Sequence, residues 1–167
     1  MTDHIIETAM RRAFDLARRG PAYGGNPQVG CVILTPEGDE LAGGFHHGTG
    51  TPHAEIEAMD GLAPEQLRGA TVVVSREPCH HYGHTGPCTK ALIAAGVARV
   101  YYSVSAPGER SGHGADALRA AGIAGHGGIL RAEGAQLLHR WLPSMRRHRP
   151  YVIAQFATRL AGRGAAQ

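Results

Sequence analysis

The chain has 167 residues, of which 43% are apolar and 19% are charged, a composition typical of one soluble globular domain with a substantial core. The formal charge of +3 and the pI near 9.0 are modest, and no aromatic residues alternate with the arginines, which argues against a nucleic-acid surface. No apolar run reaches the roughly 18 residues of a membrane span, and the N-terminus does not resemble a secretory signal. We therefore expect a cytoplasmic protein that binds neither nucleic acid nor membrane.

Helices and strands are predicted to alternate along the chain. Apolar residues at helical spacing over 3–19 predict a first helix, which a Gly-Pro pair ends. The apolar run 29–34, a turn at 36–39 and a second run at 41–45 predict a β-hairpin. The later predicted elements are helices over 53–59, 87–95, 116–121 and 133–147 and strands over 71–74, 99–104, 129–130 and 151–156.

This alternation predicts an α/β fold with three layers, in which helices cover both faces of one sheet. The sheet is expected to be mixed and mostly parallel, with the hairpin as its antiparallel part. The chain contains three cysteines, which is too few for a disulfide framework and agrees with a reducing compartment. Cys31 falls within the apolar run 29–34, where a buried core residue is the expected interpretation.

Three residues that can ligate a metal occur in the order His53, Cys79 after a proline, and Cys88. One imidazole and two thiolates fill three of the four tetrahedral positions of zinc and leave the fourth for water, whose pKa the metal lowers. Glu55 lies two residues after His53, so on a helix the two side chains point in different directions. A carboxylate placed in this way suits proton transfer rather than ligation. The set resembles the His-x-Glu and Pro-Cys signature of zinc deaminases.

Other interpretations of these residues remain open. With 11 histidines in the chain, one preceding a glutamate by two positions is close to a chance event. Cys79 and Cys88 could be two buried thiols or half of a structural zinc site. The catalytic interpretation is favoured because His53 and Cys88 each follow a proline at a predicted helix start, while Cys79 follows a predicted strand. Helix N-termini and the carboxyl ends of parallel strands are favourable places for such a site.

Several segments are similar to the deaminase domain of the bifunctional riboflavin-biosynthesis deaminase/reductase family. They are residues 26–32, 44–46, 53–55 and 77–79 together with Cys88. The discriminating feature is the eight-residue gap between the two cysteines, because cytidine, guanine and tRNA adenosine deaminases usually keep two residues there. The resemblance covers residues 4–160. It implies the cytidine deaminase-like fold, one catalytic zinc and conversion of an amino group on a diaminopyrimidine to a carbonyl.

The resemblance also implies roles for individual residues. The implied zinc ligands are His53, Cys79 and Cys88, the implied proton shuttle is Glu55, and the implied substrate contacts are Asn26, His46, His81 and His84. The substrate contacts have simpler alternatives. An asparagine before a proline is first of all a turn residue, and a histidine at position 46 could end a strand at the surface.

The chain departs from the family pattern at positions that serve the ribosyl-phosphate end of the family's substrate. His84 stands where the family has arginine or lysine, and Ala106 and Gly108 replace an aspartate and an asparagine. A neutral histidine cannot replace a guanidinium as a phosphate ligand. We therefore expect an unphosphorylated or differently decorated heterocycle. Arg76, where the family prefers an aliphatic residue, and Arg110 could supply a substitute charge, although an exposed arginine is the commoner outcome.

The expected organisation is a deaminase domain over 1–149 and a segment over 150–167 that resembles the start of a reductase domain. Either the chain ends at a domain junction or it is a stand-alone deaminase. The expected partners are an aminopyrimidine-like small molecule and further copies of the chain in a homodimer or higher homo-oligomer. The alternatives are a deaminase of a guanine-, cytosine- or pterin-type base and a zinc-stabilised binding protein without activity.

Overall fold

The structure is a computed structural model, and it describes residues 1–82, 86–107, 113–147, 149–154 and 156. The predicted substrate contact His84 and the substituted position Gly108 lie outside the described residues, as does Arg110. The helices are α1 (Asp3–Ala17), α2 (Ala54–Met59), α3 (Pro64–Leu67), α4 (Cys88–Ala95), α5 (Gly114–Ala120), α6 (Arg131–Leu137) and α7 (Trp141–Arg147). The strands are β1 (Gly30–Leu34), β2 (Glu40–Phe45), β3 (Thr71–Arg76), β4 (Arg99–Val104) and β5 (Ala124–Gly127).

The five strands form one mixed sheet with the order β2-β1-β3-β4-β5. β3, β4 and β5 are parallel, whereas β1 is antiparallel to both β2 and β3. The mixed sheet was predicted, but its parallel part is smaller than expected because β1 has two antiparallel neighbours. The crossover through α2 and α3 keeps β2 and β3 parallel, and β1 lies between them.

The sheet is covered on both faces, which confirms the predicted three-layer α/β arrangement. Successive strand residues point to opposite faces, so Cys31 and Ile33 pack against the layer that contains α2, α4 and α5. Val32 and Val73 face the other layer, which α1 contributes. Cys31 is fully buried, so its predicted place in the core is confirmed.

The prediction is least accurate in the last third of the chain. β5 lies at Ala124–Gly127 rather than at 129–130, because Leu130 adopts a φ of 47° that no strand accommodates. The long helix predicted over 133–147 is two helices. Pro143 has no N–H group to bond the carbonyl four residues earlier, so an unbroken helix would lose that bond. Residues 151–154 form no strand, which corrects the described part of the strand predicted over 151–156.

The topology brings the ends of several strands together at one edge of the sheet. Since β1 is antiparallel to its neighbours, the start of β1 lies beside the ends of β2 and β3, and the end of β4 follows. The Gly30 N–H donates to the Ser75 hydroxyl at 3.1 Å, which fixes this edge. None of the described helices combines the length and apolarity needed to cross a bilayer.

Candidate active site

The three predicted metal ligands come together at this edge of the sheet. His53 immediately precedes α2, Cys79 follows β3, and Cys88 is the first residue of α4. The His53 Nδ1 lies 3.1 Å from the Cys88 Sγ and 3.5 Å from the Cys79 Sγ. The Cys88 N–H also donates to the Cys79 Sγ at 3.3 Å, so the start of α4 supports one of the sulfurs.

This cluster fits a zinc site. Zinc bonds of about 2.3 Å to sulfur and about 2.0–2.1 Å to nitrogen place the nitrogen and each sulfur of a tetrahedral site roughly 3.6 Å apart. All three ligand atoms lie within 4.8 Å of one another, and among the described residues no fourth histidine, cysteine or acidic side chain joins them. Such a donor set with one open position is typical of catalytic rather than structural zinc.

The electrostatics of the cluster also favour a cation. The hydrogen bond from the Cys88 side chain lowers the pKa of Cys79 to about 4. The same contact raises the pKa of Cys88, and a hydrogen bond to Cys79 raises the pKa of His53. Negative charge is therefore concentrated on sulfur at neutral pH, and a divalent cation would neutralise it.

Glu55 is buried in α2 beside the cluster without belonging to it. Its carboxylate lines the same cavity as His53 and Cys79. Burial raises the pKa of Glu55, which is the direction that makes a carboxylate a better proton acceptor. The geometry thus separates a possible proton carrier from the possible ligands, as the His-x-Glu spacing predicted.

Two contacts hold α2, and with it Glu55, against the sheet. Glu57 accepts a hydrogen bond from the Phe45 N–H at 2.8 Å, and its second oxygen lies 2.8 Å from the His47 Nε2. Gly44 allows the close approach of the helix, since a Cβ at this position would lie 2.5 Å from the backbone nitrogen of Ala58. The start of α2, which carries Glu55, is therefore held in place by contacts with β2.

Asn26 and His46 form a hydrogen-bonded pair at the cavity. The His46 Nδ1 lies 2.9 Å from the Pro52 carbonyl, which only accepts, so Nδ1 carries the proton. The His46 Nε2 then accepts from the Asn26 Nδ2 at 3.0 Å. Among the described residues none donates to the Asn26 amide oxygen, so this oxygen is available to a donor in the cavity.

The cavity that joins these groups has a volume of about 190 Å³. The structure places six of the predicted site residues along its wall: His53, Glu55, Cys79, Asn26, His46 and His81. Cys88 is fully buried behind the wall, where it contacts His53 and Cys79. The cavity is large enough for a single heterocyclic ring with a small substituent.

Residues 3–104 match the family model described as the cytidine and deoxycytidylate deaminase zinc-binding region. The chain belongs to this deaminase family. The match includes both cysteines, the histidine and the glutamate of the site. The resemblance to the riboflavin-biosynthesis deaminases is confirmed by the relatives.

The riboflavin biosynthesis protein RibD of Escherichia coli is 43% identical over 161 residues, which are 95% of this chain and 43% of the relative. RibD of Mycobacterium tuberculosis is 42% identical over an alignment of 168 positions, which covers 98% of this chain and 48% of the relative. The chain thus spans less than half the length of these relatives. A Thermotoga maritima diaminohydroxyphosphoribosylaminopyrimidine deaminase/5-amino-6-(5-phosphoribosylamino)uracil reductase superposes with a TM-score of 0.83 at 37% identity, over 89% of this chain and 43% of that one.

Arg76 lines the cavity of this deaminase-family site, whereas the sequence suggested that it is more often an exposed arginine. Its side chain lines the cavity, and its guanidinium lies 4.7 Å from the centre of the Trp141 ring. The Trp141 Nε1 donates to the Gly25 carbonyl at 3.1 Å, which fixes the ring. The position of Arg76 at the end of β3 was a usable signal. Nothing in the sequence near the motifs pointed to Trp141.

Glu77 is a second residue whose role the sequence did not reveal. Its buried carboxylate accepts hydrogen bonds from the N–H groups of Ala106 and Ala115, each at 3.0 Å. These bonds tie the segments after β4 to the end of β3. A Cβ at Gly114 would collide with the Pro78 carbonyl, so glycine allows α5 to start against the Pro-Cys motif.

Proposed function

We propose that the chain is a zinc-dependent hydrolytic deaminase of the riboflavin-pathway type, which converts an amino group of a diaminopyrimidine-like ring to a carbonyl and releases ammonia. One observation carries the proposal. The His53 Nδ1 lies 3.1 and 3.5 Å from two cysteine sulfurs, and the buried Glu55 carboxylate lines the cavity beside them. A structural zinc site would have no use for a buried carboxylate outside its ligand set.

His53, Cys79 and Cys88 would hold the metal. When bound, zinc supplies a Lewis acid that lowers the pKa of water to near neutrality. Glu55 would take one proton from the attacking water and pass it to the ring nitrogen. It would then take the second proton from the new hydroxyl group and pass it to the leaving amine, so that the carbonyl forms and ammonia departs. Its raised pKa suits both transfers, because a group that both accepts and donates protons works best with a pKa close to the working pH.

Asn26, His46 and His81 are proposed to contact the ring. The contact from His46 to the Pro52 carbonyl fixes the imidazole, and the imidazole in turn orients the Asn26 amide. The Asn26 oxygen can then accept from an amino group or ring N–H. His81 lies at the cavity wall and is exposed, so it would contact the outer part of a substrate.

Three further expectations belong to this proposal: residues 150–167 as the start of a reductase-like segment, a homodimer or higher homo-oligomer, and a cytoplasmic location. Light scattering of the purified chain measures the oligomeric state directly. Cell fractionation measures the location.

The test of the proposed function is an ammonia-release assay with zinc-loaded protein. The panel should contain phosphorylated and unphosphorylated diaminopyrimidines, pterins, purines and cytosines. We expect release from a diaminopyrimidine, and release slowed on the order of a hundredfold or more with the Glu55→Gln variant. Release from a purine or pterin alone would replace the proposed substrate class, and a zinc-loaded chain that is inactive on the whole panel would favour a binding protein.

A further inference from the structure

Arg76 brings a cation into the cavity that the proposed chemistry does not use. It is the last residue of β3, three positions before Cys79, and it lines the same cavity as Glu55. Proton transfer is assigned to Glu55 and metal binding to the histidine and the cysteines. A guanidinium at this place therefore has another task.

The guanidinium has no hydrogen-bond or ion-pair partner among the described residues. Its Nε is buried without a hydrogen bond, and no carboxylate of the described residues lies within 4.0 Å of its nitrogens. The two terminal nitrogens of Arg76 also make no hydrogen bond within the described part of the chain. Unlike the Nε, they are not fully buried. The terminal nitrogens are therefore the donors that an acceptor in the cavity can reach, and an anionic acceptor would form charge-assisted hydrogen bonds with them.

Trp141 holds the guanidinium from one side. The ring centre lies 4.7 Å from the central carbon of Arg76, and the ring is itself held by its bond to the Gly25 carbonyl. A guanidinium that lies over an aromatic ring can keep its edge free for a planar pair of oxygens, which is the geometry of carboxylate and phosphate recognition. The cation is thus oriented before any ligand arrives.

The cavity walls show where such a ligand group would lie. A second, larger cavity of about 1340 Å³ adjoins the first, and Gly25, Asn26 and Trp141 line both. Trp141 therefore lies at the boundary between them, with Arg76 against it. The guanidinium therefore lies beside a ring that lines both cavities.

We propose that Arg76 is a specificity-determining residue that binds an anionic oxygen group of the substrate, a carboxylate or a phosphate, through its terminal nitrogens. The proposal rests on the proposed function, because it takes the ring of an aminopyrimidine to occupy the smaller cavity. The competing explanation is that Arg76 only balances the negative charge of Glu55 and the thiolates. That role requires only a positive charge, so Arg76→Lys would keep the full preference for a charged ligand.

The decisive experiment compares two ligands of the same shape and different charge. 4-Aminopyrimidine-5-carboxylate and 4-aminopyrimidine-5-carboxamide are titrated by calorimetry into zinc-loaded Glu55→Gln protein, in which turnover is slowed on the order of a hundredfold or more. We expect the carboxylate to bind at least about tenfold more tightly, since a charge-assisted pair adds that much. Arg76→Met should bring the ratio close to one, and Arg76→Lys should leave an intermediate ratio because it keeps the charge without the fork.

The matched control is Arg99→Met, because Arg99 is an exposed arginine at the opposite end of the strand next to β3. Zinc content and circular dichroism establish that each variant is folded, and Arg76→Lys carries the test if Arg76→Met is not. The proposal would be overturned if the chain with its native Arg76 bound both probes equally or bound neither. It would also be overturned if Arg76→Met left the ratio unchanged or Arg76→Lys kept it in full.

A second pair identifies the source of the anion. The ribosylaminopyrimidine with and without its 5′-phosphate is titrated into the same variants. If the 5′-phosphate increases the affinity and Arg76→Met abolishes this increase, the anion that Arg76 binds is the phosphate of the ribosyl substituent. If Arg76→Met changes only the carboxylate-to-carboxamide affinity ratio, the anion is a carboxylate on the ring. Failure of the ammonia-release assay with intact Glu55 would contradict the proposed function, while these binding ratios are measured independently of turnover.

Discussion

The two sides of the cavity satisfy their polar groups in different ways. On the metal side, His53 and both cysteines contact one another, and the start of α4 donates to a sulfur. A second part of the wall, which we call the recognition wall and define as Arg76, Trp141 and Asn26, keeps unpaired polar atoms. Among the described residues, the Arg76 Nε has no hydrogen-bond partner and the Asn26 amide oxygen has no donor.

This difference separates chemistry from substrate choice. The three possible ligands on the metal side contact one another without a substrate, so we expect their arrangement to change little from one ligand to the next. The recognition wall is complete only when a ligand supplies acceptors and donors. Substitutions on the metal side should therefore lower the rate with all substrates equally, whereas substitutions in the wall should change the ratio between substrates.

The largest effect is expected from Cys88→Ser. Loss of a direct ligand should lower zinc affinity by more than the roughly 10- to 100-fold that loss of an outer-shell partner costs. Metal analysis after gentle purification should fall from about one zinc per chain to well below half of that. Activity with every substrate should fall in parallel.

The control is Cys31→Ser, the same substitution at a fully buried cysteine of the core. A hydroxyl in this apolar place should cost about 1–3 kcal/mol of stability and leave the zinc bound. Thermal unfolding and metal analysis separate the two variants. If Cys88→Ser retains a full equivalent of zinc, the ligand assignment is wrong.

Next in size is the effect of Glu55→Gln. The amide keeps the shape of the side chain but cannot accept a proton, so we expect the rate to fall on the order of a hundredfold or more, as for loss of a general acid–base group. Zinc should remain bound. Steady-state kinetics and metal analysis on the same preparation test both statements.

Glu57→Gln provides the matched control two residues further along α2. Glu57 anchors the helix to Phe45 and His47 and does not line the cavity, so its variant should keep most of the rate and lose some stability. Equal loss of rate in the two variants would mean that disturbance of α2, rather than proton transfer by Glu55, explains the result. Release of zinc from Glu55→Gln would instead make Glu55 a ligand.

The metal side could be predicted from the sequence because its residues lie in short motifs at the ends of strongly patterned elements. His53 starts a helix after a proline, and Cys79 follows the apolar run of β3, so local signals place both at one sheet edge. The three-layer fold was predicted for the same reason. The antiparallel pairing of β1 with β3 was not predicted. It arises because the chain crosses from β2 over β1 to β3, and no local sequence signal indicates that crossing.

The recognition wall was not predictable in the same way. Trp141 is distant in sequence from every motif, and it belongs to a region where Pro143 splits what looked like one helix. Arg76 was visible as an unusual residue, but an arginine at a strand end is exposed in most proteins. Only the packing of α7 against the cavity shows that this arginine is covered by an aromatic ring.

A smaller effect, about tenfold, is expected from the phosphate of the substrate. The sequence has Ala106 and Gly108 at positions that resemble the family's aspartate and asparagine, and His84 at that of its permanent cation. We expect the ribosyl-phosphate pyrimidine to have a lower kcat/KM than smaller aminopyrimidines at about pH 8, where histidine is neutral. The highest kcat/KM for the phosphorylated compound would indicate an ordinary riboflavin-pathway deaminase.

The smallest effect concerns the ring behind Arg76. Trp141→Leu removes the aromatic face, and because a cation–π contact contributes about 0.5–1 kcal/mol at a partly exposed site, the carboxylate-to-carboxamide affinity ratio should fall about two- to fivefold. Trp141→Phe keeps an aromatic face but loses the donor to the Gly25 carbonyl. We expect this variant to retain most of the ratio. The same calorimetric titrations measure both variants.

The pattern across the two Trp141 variants distinguishes how the recognition wall is held. If Trp141→Leu lowers the ratio and Trp141→Phe does not, stacking orients Arg76. An equal fall in both would assign that role to the hydrogen bond with Gly25, which positions the loop that carries Asn26. An unchanged ratio in both variants would mean that Trp141 does not orient Arg76. Within the recognition wall, the preference for a charged ligand would then depend on Arg76 alone.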